Sequence, residues 1–215
     1  MAEVYLFFLG WGSITKTFKK SIETAPPGKA VTLIHCIELM PHNDPKQLNK
    51  NLLKLLEDRG FGRVNIIGHS LGGALALQFA YHHPEKVKHL YLIDSEGIYD
   101  EVPFMKMIFK FIQSHTNFFL GDIPLLLMSM LSALRRPIWH AKMSHFAHHI
   151  DLQKEAAALK VPVTLLWGEE DGVIPVWQGE KLHSLIPKSK LIILSKMNHD
   201  WILKHPEKFW ANVVE

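Results

Sequence analysis

The chain has a single cysteine, Cys36, among its 215 residues. No intrachain disulfide can form, which points to a reducing compartment. Charge of one sign is also scarce: 24 Lys and Arg against 21 Asp and Glu leave a formal net charge of +3. No basic block exceeds a few residues, so no nucleic acid is expected as a partner. Long apolar runs are missing too. A bilayer span needs ~20 consecutive apolar residues, and the greasiest region, 104–134, is interrupted by Lys106, Lys110, Gly121, Asp122 and Pro124. No integral membrane segment is expected. The start, Met1-Ala2-Glu3, lacks the basic region of a signal peptide, and the apolar run Val4–Leu9 stops at Gly10-Trp11-Gly12. A soluble cytoplasmic protein is the expectation. The contents of 47% hydrophobic and 21% charged residues exclude disorder, collagen-like repeats and a coiled coil. The length suits one domain with a small insertion.

What is present is an alternation. Val4–Leu9, Val31–Ile37, Val64–Ile67, His89–Ile93, Val163–Trp167 and Leu191–Leu194 are short, nearly continuous apolar runs. That is the pattern of parallel strands covered on both faces. Between them lie helical segments. Asp44-Pro45 reads as an N-cap with proline at the first helical position, and the periodicity of Leu48, Leu52, Leu55 and Leu56 carries the helix to Gly60. Leu71–His82 and Val176–Leu185 form two more helices, ended by Pro84 and Pro187, and a helix from Ile202 to Val214 closes the chain. Strands alternating with helices predict an α/β fold with a doubly wound sheet. Residues 97–150 carry no strand signal and read as a helical insertion. The core is then 1–96 and 151–215.

The strongest local signal is Gly68-His69-Ser70-Leu71-Gly72-Gly73, between the strand Val64–Ile67 and the helix from Leu71. In that context G-x-S-x-G is a sharp turn that lifts the serine above the sheet edge, with Gly68 and Gly72 removing side chains that would clash. The helix start supplies free N–H groups and a positive dipole end. A serine needs a base, and the base needs an orienting carboxylate. Asp171 in Gly168-Glu169-Glu170-Asp171 follows one predicted strand, and His199 in Asn198-His199-Asp200 follows the last. Ser70, Asp171 and His199 thus lie at strand ends in the order Ser, Asp, His. Asp94, at the end of its own strand, and Glu170 compete for the acid role. The intact turn at 168–171 favours Asp171, and Asp94 is expected to bond backbone groups at its strand end. For the oxyanion, the backbone N–H groups of Leu71 and Trp11 are the candidate donors.

These motifs, with the Gly-Trp-Gly loop, resemble the α/β-hydrolase superfamily, and within it small carboxylesterases and the enol-lactone and meta-cleavage-product hydrolases. The resemblance spans essentially the whole chain. It implies the α/β-hydrolase fold, a serine hydrolase that needs neither cofactor nor metal, and a helical cap over the nucleophile formed by 97–150. Two departures stand out. Leu9 occupies the place of a histidine that usually precedes the oxyanion loop. The two usual leading strands are also absent, leaving a mostly parallel sheet of about six strands. Family topology would place Val31–Ile37 at an exposed edge, which raises the prospect of a homodimer through it.

The insertion is rich in Met and Phe. Most of these side chains should pack the cap onto the sheet. Phe104, Met105, Met128 and Trp139 are candidates to line an apolar acyl pocket. His140, His145, His148 and His149 cluster there, with His145 and His149 on one helix face. Without a convincing further ligand they read as solvated or core histidines rather than a metal site. The expected activity is cleavage of small to medium-chain carboxylic esters through an acyl-enzyme on Ser70. The alternatives are a lactonase using the same machinery, a carbon–carbon bond hydrolase, and a non-catalytic ligand-binding module on the same fold.

Overall fold

Apolar side chains alternate between the two faces of one sheet, and both faces are covered. The structure, a computed structural model, describes residues 2–10, 13, 18–35, 40, 45–99, 131 and 134–213. The described residues hold six strands: β1 (Glu3–Phe8), β2 (Lys29–Ile34), β3 (Val64–His69), β4 (Val87–Ile93), β5 (Val163–Gly168) and β6 (Lys190–Leu194). They pair in the order β2-β1-β3-β4-β5-β6, and every pairing is parallel. Along β1, Leu6 and Phe8 enter one core while Tyr5, Phe7 and Leu9 enter the other. Leu90 and Leu92 oppose Tyr91 and Ile93 in the same way on β4, as Leu165 and Trp167 oppose Leu166 on β5. Both side-chain sets are apolar because helices shield both faces. The runs therefore read as continuous rather than alternating.

The first core is covered by α2 (Pro45–Asp58), α3 (Leu71–His82), α4 (Pro137–His149), α5 (Gln153–Ala157) and α6 (Val176–Leu185), once α1 (Lys19–Glu23) is assigned to the other side. Leu48, Leu52 and Leu56, four residues apart on α2, are fully buried. The second core takes α1 with α7 (Trp201–Lys204) and α8 (Pro206–Trp210), through Trp201, Ile202, Phe209 and Trp210. The single closing helix expected from Ile202 to Val214 is thus two short ones. Pro206 has no N–H for the preceding turn and its ring crowds that turn. His205 leaves helical geometry before it, at φ −129° and ψ 51°.

Residue 97 and residue 152 meet: the Leu152 N–H donates to the Gly97 carbonyl at 2.8 Å. Between them, α4 packs Met143 into the first core, and the Trp139 indole N–H donates to the Met40 carbonyl at 3.3 Å. Among the described residues no helix is long and apolar enough to cross a membrane.

The strand order reverses between β1 and β3: the chain moves outward from β1 to β2, then returns to place β3 on the other side of β1. In open α/β sheets, the carboxyl ends at such a reversal form the ligand crevice. Gly10 follows β1 and Ser70 follows β3, so the reversal places them side by side. A Cβ on Gly10 would lie 3.1 Å from the Ser70 Cβ.

The β3–α3 turn has no spare volume. A Cβ on Gly68 would lie 2.6 Å from the Gly73 Cα and 2.8 Å from the Gly72 carbonyl oxygen. Backbone cannot swing away as a side-chain tip can. Gly68→Ala should therefore cost about 3 kcal/mol through overpacking. That corresponds to a melting temperature lower by roughly 6–12 °C for a chain of this size. A calorimetric melt indistinguishable from wild type would mean that the turn can relax.

Candidate active site

Three strand ends build the site. The first is the turn after β3. Ser70 sits at φ 55° and ψ −127°, a region that L-residues avoid and that costs of order 1–3 kcal/mol. Its backbone is held on both sides: its N–H donates to the Ile93 carbonyl at 3.1 Å, and its carbonyl accepts from Gly73 at 2.9 Å and Glu96 at 3.1 Å. The turn is thus fastened to the end of β4. Ser70 remains half-exposed, as a group meeting a substrate must be. Leu71 is the first residue of α3, where backbone N–H groups have no partner within the helix. Trp11, the other expected oxyanion donor, lies outside the described residues, as do Phe104, Met105 and Met128.

The second and third strand ends are laced together. The Glu169 N–H donates to the Leu194 carbonyl at 3.0 Å and the Glu170 N–H to the Met197 carbonyl at 2.8 Å. Gly168 makes this approach feasible, since a Cβ there would lie 2.6 Å from the Met197 carbonyl oxygen. The lacing brings Asp171 to His199. Asp171 Oδ2 meets His199 Nδ1 at 2.7 Å. Its other oxygen accepts the N–H groups of Val173 at 2.7 Å and Ile174 at 2.9 Å. Both oxygens are committed, so the carboxylate is fixed in orientation. Glu170, its neighbour in sequence, is exposed, and Glu169 binds Ser195 and Lys196 instead.

Asp94 has the expected backbone role. Its Oδ1 accepts the Gly168 N–H at 2.8 Å, which ties β4 to the acid-bearing strand end. It is fully buried. Burial, reinforced by the Asp171 charge, pushes its carboxyl well above the usual range.

His69, the variable residue of G-x-S-x-G, receives no role from sequence reasoning. In the structure it is 3% exposed and its Nε2 lies 3.0 Å from the His199 carbonyl oxygen. A carbonyl only accepts, so Nε2 carries the proton. The two imidazole rings are 4.9 Å apart. A signal was present: a lone histidine closing the otherwise buried strand Val64–His69. The histidines of α4 separate: His140 is buried, while His145 and His149 are exposed with rings 4.1 Å apart. Among the described residues, the one grouping with metal-ligand spacing is His69, Asp94 and His199, inside this site rather than among His140, His145 and His149. One atom of each is engaged: His69 Nε2 and Asp94 Oδ1 hold backbone partners, and Asp171 holds His199 Nδ1. Trp139 is half-buried against the first core.

A parallel sheet in this order, a serine at a strained strand–helix turn and a buried Asp–His pair at its edge define an α/β-hydrolase fold. The comparisons agree. Residues 42–113 match the family described as alpha/beta hydrolase fold. The chain is 27% identical over 242 residues to the pimeloyl-(acyl-carrier protein) methyl ester esterase of Neisseria meningitidis, covering 97% of this chain and 74% of that one. It is 26% identical over 193 residues to the uncharacterized hydrolase YugF of Bacillus subtilis, covering 79% and 71%. It spans 58% of the length of an uncharacterized Mycobacterium tuberculosis protein, at 26% identity over 201 residues. Among solved structures, it superposes at a TM-score of 0.68 on an α/β-hydrolase enzyme from the sediment metagenome of the Mar Chica lagoon, at 22% identity, covering 97% and 87%. It superposes at 0.70 on a bromoperoxidase from Bacillus anthracis, at 15% identity, covering 98% and 90%. Both structural likenesses show the fold alone.

The two histidines pull stability in opposite directions with pH. Burial lowers the His69 pKa from 6.5 to about 4. Its neutral form is favoured in the fold, so stability is intact above 6.5 and declines as pH falls towards 4. Burial also opposes charge on His199, but the Asp171 carboxylate outweighs it and raises the pKa from 6.5 to about 10. That contribution is complete below 6.5 and is lost as pH rises through 10. Urea unfolding of wild type and His69→Gln at pH 4 to 7 should show the wild type losing on the order of 3 kcal/mol more than the variant. Parallel curves would place the acid sensitivity elsewhere.

Proposed function

We propose that the protein is a serine hydrolase of small to medium-chain carboxylic esters. Ser70 Oγ attacks the ester carbonyl as His199 takes its proton, and Asp171 holds the imidazole and offsets the charge that forms. The N–H groups of Leu71 and Trp11 receive the oxyanion. The alcohol leaves with the proton from His199, and water, activated by the same base, releases the acid from Ser70. The observation that carries this reading is the buried 2.7 Å Asp171–His199 contact beside a serine held at φ 55°. The Neisseria relative, named for acting on a methyl ester, supports an ester as substrate. The apolar composition around Phe104, Met105, Met128 and Trp139 supports an uncharged acyl chain. Among the described residues β2 pairs only with β1, which supports a homodimer through that edge. A monomeric mass by light scattering across micromolar concentrations would exclude it.

The test is hydrolysis of p-nitrophenyl esters from acetate to dodecanoate. Wild type should turn over with a chain-length optimum. Ser70→Ala and Asp171→Asn should each lose roughly 10⁴-fold in kcat while remaining folded. Because Asp171 raises the His199 pKa, the acid limb of the Asp171→Asn pH–rate profile should move to lower pH. A wild type inert on every acyclic ester, but active in a ring-opening assay with acyl-lactones, would convert the reading to a lactonase. Inertness on both would leave ligand binding without turnover.

A further inference from the structure

His69 touches three of the segments that the proposed chemistry needs. It is bonded in sequence to Ser70. Its Nε2–H reaches the carbonyl of His199, 130 positions away along the chain. Its other nitrogen, Nδ1, faces the turn after β1: a Cβ on Gly10 would lie 3.2 Å from it. That Nδ1 is buried and has no hydrogen-bond partner among the described residues. The ring is clamped between Phe18, with centroids 6.0 Å apart, and the His199 ring at 4.9 Å. A buried side chain this constrained transmits a displacement of one loop to the next.

The base has two anchors. Asp171 fixes the His199 ring at Nδ1. That contact still leaves the ring free to pivot about the carboxylate. A second fixed point on the same residue removes the pivot, and the His199 backbone carbonyl provides one. We propose that His69 is a positioning residue, whose Nε2–H bond to the His199 carbonyl sets the base against the serine it adjoins. The proposal rests on reading Ser70 and His199 as nucleophile and base. It gives the second position of the Gly68-His69-Ser70 turn a chemical requirement: an N–H donor at the reach of Nε2.

Side-chain amides separate this from simple packing. Gln carries its N–H close to the position of Nε2, whereas Asn ends near Nδ1, on the Gly10 side. Leu fills the space with no donor. Kinetics of His69→Leu, His69→Asn and His69→Gln would be measured on the best p-nitrophenyl ester. His69→Leu and His69→Asn should lose roughly tenfold or more in kcat with KM nearly unchanged, the scale of one buried hydrogen bond. His69→Gln should recover most of it. The low-field proton resonance of His199 Nδ1–H, shared with Asp171, should stay sharp in wild type and His69→Gln and broaden in the other two. A kcat for His69→Leu equal to wild type, an equal loss in Gln and Asn, or a loss confined to KM would overturn the proposal. If His69→Leu does not fold, the Gln–Asn comparison makes the same decision. If wild type hydrolyses neither esters nor lactones, the reading of Ser70 falls, and the proton resonance alone judges His69.

Discussion

The backbone at Ser70 is the constraint on which the rest depends. A serine at φ 55° and ψ −127° is strained by roughly 1–3 kcal/mol, and it persists because its surroundings leave no alternative. Its N–H and carbonyl are tied to the end of β4 and the start of α3. Behind it, Gly68 lets α3 close against the strand. The sheet supplies the rigid platform, through strands buried on both faces. One strained residue is thereby held at the reversal of strand order, where open α/β sheets bind their ligands.

Around His199 the electrostatics follow from burial. His69, Asp94, Asp171 and Asp200 are all nearly inaccessible. A low-dielectric interior does not hold several isolated charges, so such groups pair or neutralise. Asp171 pairs with His199. Asp94 and His69 are pushed towards their neutral forms, chiefly by desolvation. The hydrogen-bonded Asp171–His199 couple lies at the centre of this cluster. Asp94 contributes through its bond to the Gly168 N–H; it steadies the strand end that carries the acid.

The fold and the site carry different information. A sheet of this kind hosts many unrelated chemistries. What narrows the reading here is local: a serine rather than another residue at the turn, and an imidazole fixed by a carboxylate whose two oxygens are both occupied.

The sequence alone determined the six strands, the three long helices between them and the order Ser70, Asp171, His199, because each is written in local chemistry. Buried parallel strands must be apolar runs, and a tight strand–helix turn must carry glycine. The break at Pro206 escapes the periodicity, which continues from Ile202 onward and suggests one helix where the structure has two. Tertiary structure decided the rest. Glu170 and Asp171 are adjacent in sequence, and only the lacing of the β5 and β6 ends turns Asp171 inward and leaves Glu170 in solvent. The tether from His69 to His199 spans 130 positions. A contact between a side chain and a distant backbone carbonyl leaves no periodicity or spacing in the chain, since a carbonyl is the same at every residue.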